Sequence, residues 1–208
     1  MCPVFTGTES TVVRLPLFPL KTVLFPRGRL ALQIFEQRYL AMAKNCLSAG
    51  TPFGVCLITR GEEVASPGGG APEFAAVGTF ARIRTWDMPQ LGILRIAAAG
   101  EGRFAVRTHE VMPDALVVAE VTPIPPEPVV AMSVEGRRLA EVLERLAARI
   151  GPQHFPDDHG YDDASWVGSR LAEILPLPLP MKQALLEMND ADARLAAVQR
   201  FIDERVAS

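Results

Sequence analysis

Leu15-Pro16-Leu17-Phe18-Pro19-Leu20 leads through Val23-Leu24-Phe25-Pro26 to Ile34-Phe35-Glu36-Gln37-Arg38-Tyr39-Leu40. An apolar run broken by prolines is a poor helix, because each proline removes a backbone donor and fixes φ. It reads instead as a first strand and a corner of the chain, with prolines where the ladder ends. Gly28 then centres a turn and 29–34 forms a short strand. Phe35-Glu36-x-Arg38-Tyr39 opens a helix over about 36–48, with Tyr39, Leu40, Ala43 and Leu47 on one stripe and Gly50 as its stop.

Outward from this segment, the runs 12–18, 29–34, 53–59, 77–86, 91–98, 102–111 and 115–122 are rich in Val, Ile, Leu and Phe. Turn residues at Gly28, Gly61, Pro89, Gly100 and Pro113 separate them, which is the spacing of strands in a barrel. Ser66-Pro67-Gly68-Gly69-Gly70-Ala71-Pro72 reads as a surface loop. Thr122-Pro123-Ile124-Pro125-Pro126-Glu127-Pro128 can hold neither ladder nor helix and reads as a stiff linker. Beyond it, Met132, Leu139, Val142, Leu143, Leu146 and Ile150 recur at threes and fours, predicting an amphipathic helix over 131–150. Further helices are expected near 163–175, 181–188 and 190–206, with Asp162 or Asp163 and Asn189 or Asp190 as caps. The expected class is α+β: a β-rich lobe over 1–122 with one inserted helix, a Pro-rich linker over 123–130 and a helical bundle over 131–208.

With 208 residues, 49% hydrophobic and 22% charged, the chain has the balance of a globular protein, and collagenous, repeat-based and disordered classes are excluded. A net charge of −3 weighs against a dedicated nucleic-acid binder. Basic charge is carried mostly by arginine; Lys21, Lys44 and Lys182 are the only lysines. Cys2, Cys46 and Cys56 form no CxxC and point to a reducing, cytoplasmic setting, with Cys46 and Cys56 as small buried hydrophobes. Arg14, the prolines and Lys21 interrupt the first apolar stretch, so neither a membrane span nor a signal peptide is expected.

The ordered series of segments resembles the Lon N-terminal domain family. It is carried by Leu15-Pro16-Leu17-Phe18-Pro19-Leu20, by Phe35-Glu36-x-Arg38-Tyr39, by Phe53-Gly54-Val55, by Val77-Gly78-Thr79-Phe80-Ala81-Arg82-Ile83 and by Gly100-Glu101-Gly102-Arg103-Phe104. In the helical part Leu171-Ala172, Leu175-Pro176-Leu177, Lys182-Gln183, Leu185-Leu186-Glu187-Met188 and Arg194-Leu195 continue it. The resemblance implies a PUA-like pseudo-barrel followed by a helical bundle, and a stand-alone substrate-binding module without the family's ATPase and peptidase domains.

The chemistry agrees with that expectation. A P-loop needs Gly-x-x-x-x-Gly-Lys-Ser/Thr to cradle phosphates, whereas the three lysines follow Leu20, Ala43 and Met181. The serine and lysine of a Lon peptidase would, by the resemblance, lie far beyond residue 208, and Lys182 belongs to the N-terminal pattern. No catalytic residue, cofactor or metal is expected. His154-Phe155-Pro156-Asp157-Asp158-His159 and Tyr161-Asp162-Asp163 could supply metal ligands on paper, but read as a solvated acidic loop ending in a helix cap. Gly68-Gly69-Gly70 and Gly100-Glu101-Gly102 lack the strand-to-helix setting of a dinucleotide site; the second reads as a hairpin turn. His109 stands alone.

Two surface features suggest partners. By strand parity Arg82 and Arg84 share a face, as do Arg103 and Arg107, with Arg95 on the strand between, which would gather a basic stripe. Trp86-Asp87-Met88-Pro89-Gln90 reads as a hairpin tip offering Trp86 and Met88 to unfolded peptide. Phe35, Arg38 and Tyr39 read as residues that dock the helix on the barrel. The leading expectation is therefore a non-catalytic module that binds polypeptide, an unfolded client or a protein partner, through the barrel face and the groove between lobes, in protein quality control. The alternative is an RNA-binding protein of the PUA-like class using the arginine face.

Overall fold

Leu17 is where β1 (Val13–Leu20) changes partners in the computed structural model, which describes residues 11–63, 71–151, 155 and 160–206. Before Leu17 the strand runs antiparallel to β7 (Val117–Pro123), with Val13 opposite Val121. After it, the strand runs parallel to β3 (Phe53–Arg60), with Leu20 opposite Leu57. Pro16 and Pro19 lie inside these ladders, opposite Val118 and Cys56, rather than beyond their ends. A strand handing over from one neighbour to another leaves positions where no N–H is needed.

The full order is β1-β7-β6-β5-β3-β4, and the β1–β3 pairing closes the sheet on itself. β4 is Glu73–Phe74, β5 is Val77–Gln90, β6 is Ile93–Val111, and β2 (Arg29–Ile34) pairs with the first half of β6. Two expected strands, 91–98 and 102–111, are thus one, and Gly100-Glu101-Gly102 is strand interior rather than a turn. The glycine signal there has another cause. The 25–28 segment crosses so closely that a Cβ on Gly100 would strike the Phe25 carbonyl, and Gly100 N–H donates to Gly28 O at 2.8 Å. The hairpin turn between β5 and β6 falls at Leu91-Gly92, with Gly92 at φ +84°, one step beyond the expected tip.

α1 (Gln37–Ala49) ends at Gly50, whose φ of 64° supplies the left-handed cap. α2 (Val134–Ile150) starts at Ser133, whose side chain accepts from Gly136 N–H, and α3 (Ala164–Ile174) at Asp163, which accepts from Ser165 N–H. α4 (Leu179–Glu187) follows Pro178, and Asp190 caps α5 (Ala191–Val206) by accepting from Ala193 N–H. The architecture is α+β, a mostly antiparallel sheet with five helices among the described residues. Cys2, Ser66 to Gly70, His154, Asp157, Asp158 and His159 lie outside the described residues.

One apolar cluster fills the closed sheet around Leu15, Leu17 and Phe104, and a second packs α1 on it through Tyr39, Met42, Ala43 and Cys46. A third joins Val23, Phe25 and Leu57 of the sheet region to Leu143, Trp166, Leu171 and Val198 of the helices.

A polar seam runs beside this third cluster. Glu173 accepts from Phe25 N–H at 3.1 Å and pairs with Arg170 at 2.8 Å, while Arg170 donates to Pro26 O and Lys182 Nζ donates to the Glu173 carbonyl. Burial pushes the Glu173 carboxyl up to about 7, although Arg170, the Phe25 N–H and Lys182 all pull it down. Because the folded value exceeds the ordinary 4.5, the folded state binds the proton more tightly, and this contribution to stability is lost as pH rises from about 4.5 to about 7. Glu173→Gln should flatten the pH dependence of the urea midpoint across that window, removing a slope worth about 2 kcal/mol once partial exposure is discounted.

Candidate functional site

α1 has two apolar faces. Tyr39, Met42, Ala43 and Cys46 are buried against the sheet. Leu40 and Leu47, expected on the same stripe, lie a step round the helix and line an outward groove with Gln37, Ala41, Lys44 and Ser48. The helix is pinned by Tyr39 stacked on Phe18 with centroids 3.8 Å apart, and by Arg38, which pairs with Glu36 at 2.9 Å and donates to Ala115 O at 2.8 Å. Burial, partly offset by Arg38, pushes the Tyr39 hydroxyl up to about 12. Arg38 and Tyr39 are buried as docking residues should be, whereas Phe35 is exposed.

The facing wall of the groove is the β5–β6 hairpin. Trp86 stands opposite Ile96 in the ladder, alternation along β6 puts Leu94 on the side of Ile96, and Met88, within the register shift between Asp87 and Gln90, lines the groove beside them. Trp86 is 59% exposed, Met88 49% and Leu91, at the turn, 96%. Together with α1 they enclose an open groove of about 740 Å³. Three large apolar side chains held in water beside a helix face form the kind of patch that marks a binding surface. Lys44 is the sole charged residue lining it, and its ammonium has no hydrogen-bond or ion-pair partner among the described residues.

The arginines do not form one stripe. The pairing of β5 with β6 shifts between Ile83 and Thr85, so parity does not define the face of Arg84, and Glu101 lies 2.5 Å from Arg82 and 3.5 Å from Arg84. Arg82 also donates to Gly50 O. Arg103 is only 5% exposed: it donates to Leu186 O at 2.7 Å, Met188 O at 2.8 Å and Asn189 Oδ1 at 2.8 Å, facing the helices instead of solvent. Arg107 is exposed and donates to Thr122 Oγ1, and Arg95 is exposed opposite Asp87. Of the residues read as partner-binding, the structure therefore brings Trp86 and Met88 into one groove, keeps Arg82 and Arg84 together at Glu101, turns Arg103 to the helices, and leaves Arg95 and Arg107 exposed beside Asp87 and Thr122.

A smaller recess of about 230 Å³ lies between sheet and helices, lined in part by Arg103, Glu127, Ser165 and Arg194. Its charges satisfy one another. Glu127 accepts from Arg194 and from Ser165 Oγ and lies 3.2 Å from Arg103. Burial would raise this carboxyl, but the Arg194 and Ser165 hydrogen bonds and the two guanidinium charges hold it below the ordinary range. Elsewhere, Cys46 and Cys56 are free and buried, and burial pushes the Cys56 thiol up to about 12. His109 rests on the Phe74 ring at 5.0 Å, and no group of three potential metal ligands occurs among the described residues. No described helix is long and apolar enough to cross a membrane.

Comparison with known proteins gives the family and the fold. The family model of the ATP-dependent protease La (LON) substrate-binding domain matches residues 14–204. The chain is 24% identical to a Lon protease of Anaeromyxobacter dehalogenans over 98% of its own length, but spans only 24% of that protein. Among solved structures, a Lon N-terminal domain protein from Xanthomonas campestris matches at 37% identity and a TM-score of 0.73, covering 90% of this chain and 98% of that one. The N-terminal domain of a Mycobacterium avium complex Lon protease shares the fold at 17% identity and a TM-score of 0.56, covering 89% of this chain and 96% of that one.

Proposed function

The chain belongs to the Lon substrate-binding domain family, and from that premise we propose that it is a non-catalytic recognition module that holds polypeptide in the groove between α1 and the β5–β6 hairpin. The observation that carries the reading is the groove itself: about 740 Å³, with Trp86, Met88 and Leu91 presented to solvent on one wall and Leu40 and Leu47 on the other. Methionine and tryptophan adapt to varied apolar side chains, which suits an unfolded client in protein quality control better than one rigid ligand. RNA is the weaker reading, because Arg82 and Arg84 face Glu101 and Arg103 is buried, which interrupts a basic track along this sheet face among the described residues.

The test uses the two tryptophans, Trp86 exposed and Trp166 buried at 3%. Binding of a reduced and alkylated, permanently unfolded protein should shift the exposed tryptophan's emission to the blue. Read by fluorescence anisotropy of the labelled unfolded protein, Trp86→Ala together with Leu91→Asp should weaken binding at least about tenfold, as loss of a central aromatic anchor does, with an unchanged urea midpoint. Undiminished binding by that variant would remove the groove from the function. Salt-sensitive retention of single-stranded RNA by the parent protein, lost on reversing Arg82 and Arg84, would favour the RNA reading instead.

A further inference from the structure

We infer that the groove selects an apolar polypeptide segment carrying an acidic side chain within it, and that Lys44 is the residue that reads this carboxylate. The inference rests on the groove being the polypeptide site. Eleven residues line it, and among them are no aspartate and no glutamate; Lys44 is the one charge. That composition departs from the chain as a whole, in which 24 acidic residues outnumber 21 basic ones. The two other lysines are engaged, Lys21 with Glu62 and Lys182 with the Glu173 carbonyl, while Lys44 meets no described partner.

Position on the helix decides which carboxylate fits. Lys44 follows Leu40 by one turn and precedes Leu47 by nearly one, so apolar surface flanks the ammonium on both sides along the axis. A carboxylate meeting Lys44 must therefore belong to a segment that continues in both directions over leucine. A side-chain Asp or Glu inside the segment satisfies this, whereas a C-terminal carboxylate would leave half of the groove bare. The low-polarity walls of Trp86, Met88 and Leu94 strengthen the attraction relative to open water, and they penalise a cation or an unpaired amide placed there.

The experiment measures fluorescence anisotropy of three labelled twelve-residue peptides that share Leu and Phe positions and differ only in a central Glu, Gln or Lys. The parent protein should bind the Glu peptide about three- to fivefold more tightly than the Gln peptide, and the Lys peptide more weakly still. Lys44→Gln should erase the order, and Lys44→Glu should reverse it, with the Lys peptide now preferred; Lys44 is exposed, so neither change threatens folding. Equal affinities of the three peptides for the parent protein would overturn the inference and leave the groove reading standing, provided that Trp86→Ala with Leu91→Asp weakens binding of all three. An unreversed order in Lys44→Glu would overturn it too. Failure of all three peptides to bind would sink the groove reading and this inference together. A fourth peptide ending at the acidic position, if it bound as well as the internal Glu peptide, would assign the selectivity to a chain terminus and refute the internal-side-chain claim.

Discussion

Glu127→Ala should lower stability by about 3–5 kcal/mol, the cost of leaving buried cations without their partner. Glu127 receives both guanidinium arms of Arg194, which is 2% exposed, and lies 3.2 Å from Arg103. Those two arginines also hold the backbone at the α4–α5 junction: Arg103 binds Leu186 O and Met188 O, and Arg194 binds Leu185 O and Met188 O. Removing the carboxylate thus leaves two neighbouring positive charges in a water-poor seam and loosens three carbonyls that α4 leaves open at its end. Urea denaturation at neutral pH reads the loss. Because the folded-state pKa of Glu127 is depressed, its contribution is fully present above the ordinary value of 4.5 and disappears as pH falls through the lower folded value. The gap between parent and variant midpoints should therefore narrow in acid. A gap that does not change with pH would mean that packing of the side chain, not its charge, is what matters.

Phe104→Ala should cost a similar amount, about 3–5 kcal/mol, through a cavity at the centre of the closed sheet. The Phe104 ring is wholly buried and lies 4.9 Å from the Phe80 ring. Two glycines border the ring: a Cβ on Gly54 would come 2.8 Å from Phe104 Cζ and 2.5 Å from Leu17 Cδ2, and one on Gly78 2.6 Å from Phe104 Cζ and 2.5 Å from the Val55 carbonyl oxygen. This permits a check that a generic core residue would not allow. Gly54→Ala alone should overpack the site and destabilise by about 1–3 kcal/mol. Combined with Phe104→Ala, the space left by the ring takes up the added methyl and the flexible ends of Leu15 and Leu17 that it displaces, and the double variant should be more stable than the sum of the single losses by about 1 kcal/mol. Strict additivity in a double-mutant cycle would show that the glycines serve some purpose other than seating the ring.

Most elements could be read from sequence because they rest on local signals. α1, α3, α4 and α5 were placed within about two residues by apolar periodicity and by Gly50, Asp163 and Asp190 as end signals; α2 begins later, at Val134, because Ser133 is its cap. What was not legible depends on distant chain segments. Gly100 and Gly102 look like a turn until the 25–28 segment is seen to cross at Gly100, and a glycine kept for close approach carries the same letter as a glycine kept for a bend. The arginine stripe failed for a related reason. Parity along a strand holds only while pairing is regular, and β5 shifts register three times against β6. Arg103 was misplaced because a charged residue on an alternating strand suggests solvent, and nothing local announces that α4 and α5 will cover it. Half of the groove was readable: Trp86 and Met88 stood out near a turn, whereas Leu40, Lys44 and Leu47 were absorbed into a single helix stripe. A 3.6-residue wheel separating 39, 42, 43 and 46 from 40, 44 and 47 would have found the second face.

β6 gives this molecule a mechanical axis. Nineteen residues without a break amount to about 60 Å of extended backbone. Near one end the strand carries the hairpin wall under Trp86, and farther along, at Arg103, it is bolted to the end of α4. A polypeptide dragged out of the groove would therefore load one continuous strand, with hydrogen bonds to β2 and β5 sharing the shear along its first half. The tension would reach the helices without crossing a single loop. If the groove holds polypeptide as proposed, the load enters at one end of a beam whose footing is at its middle.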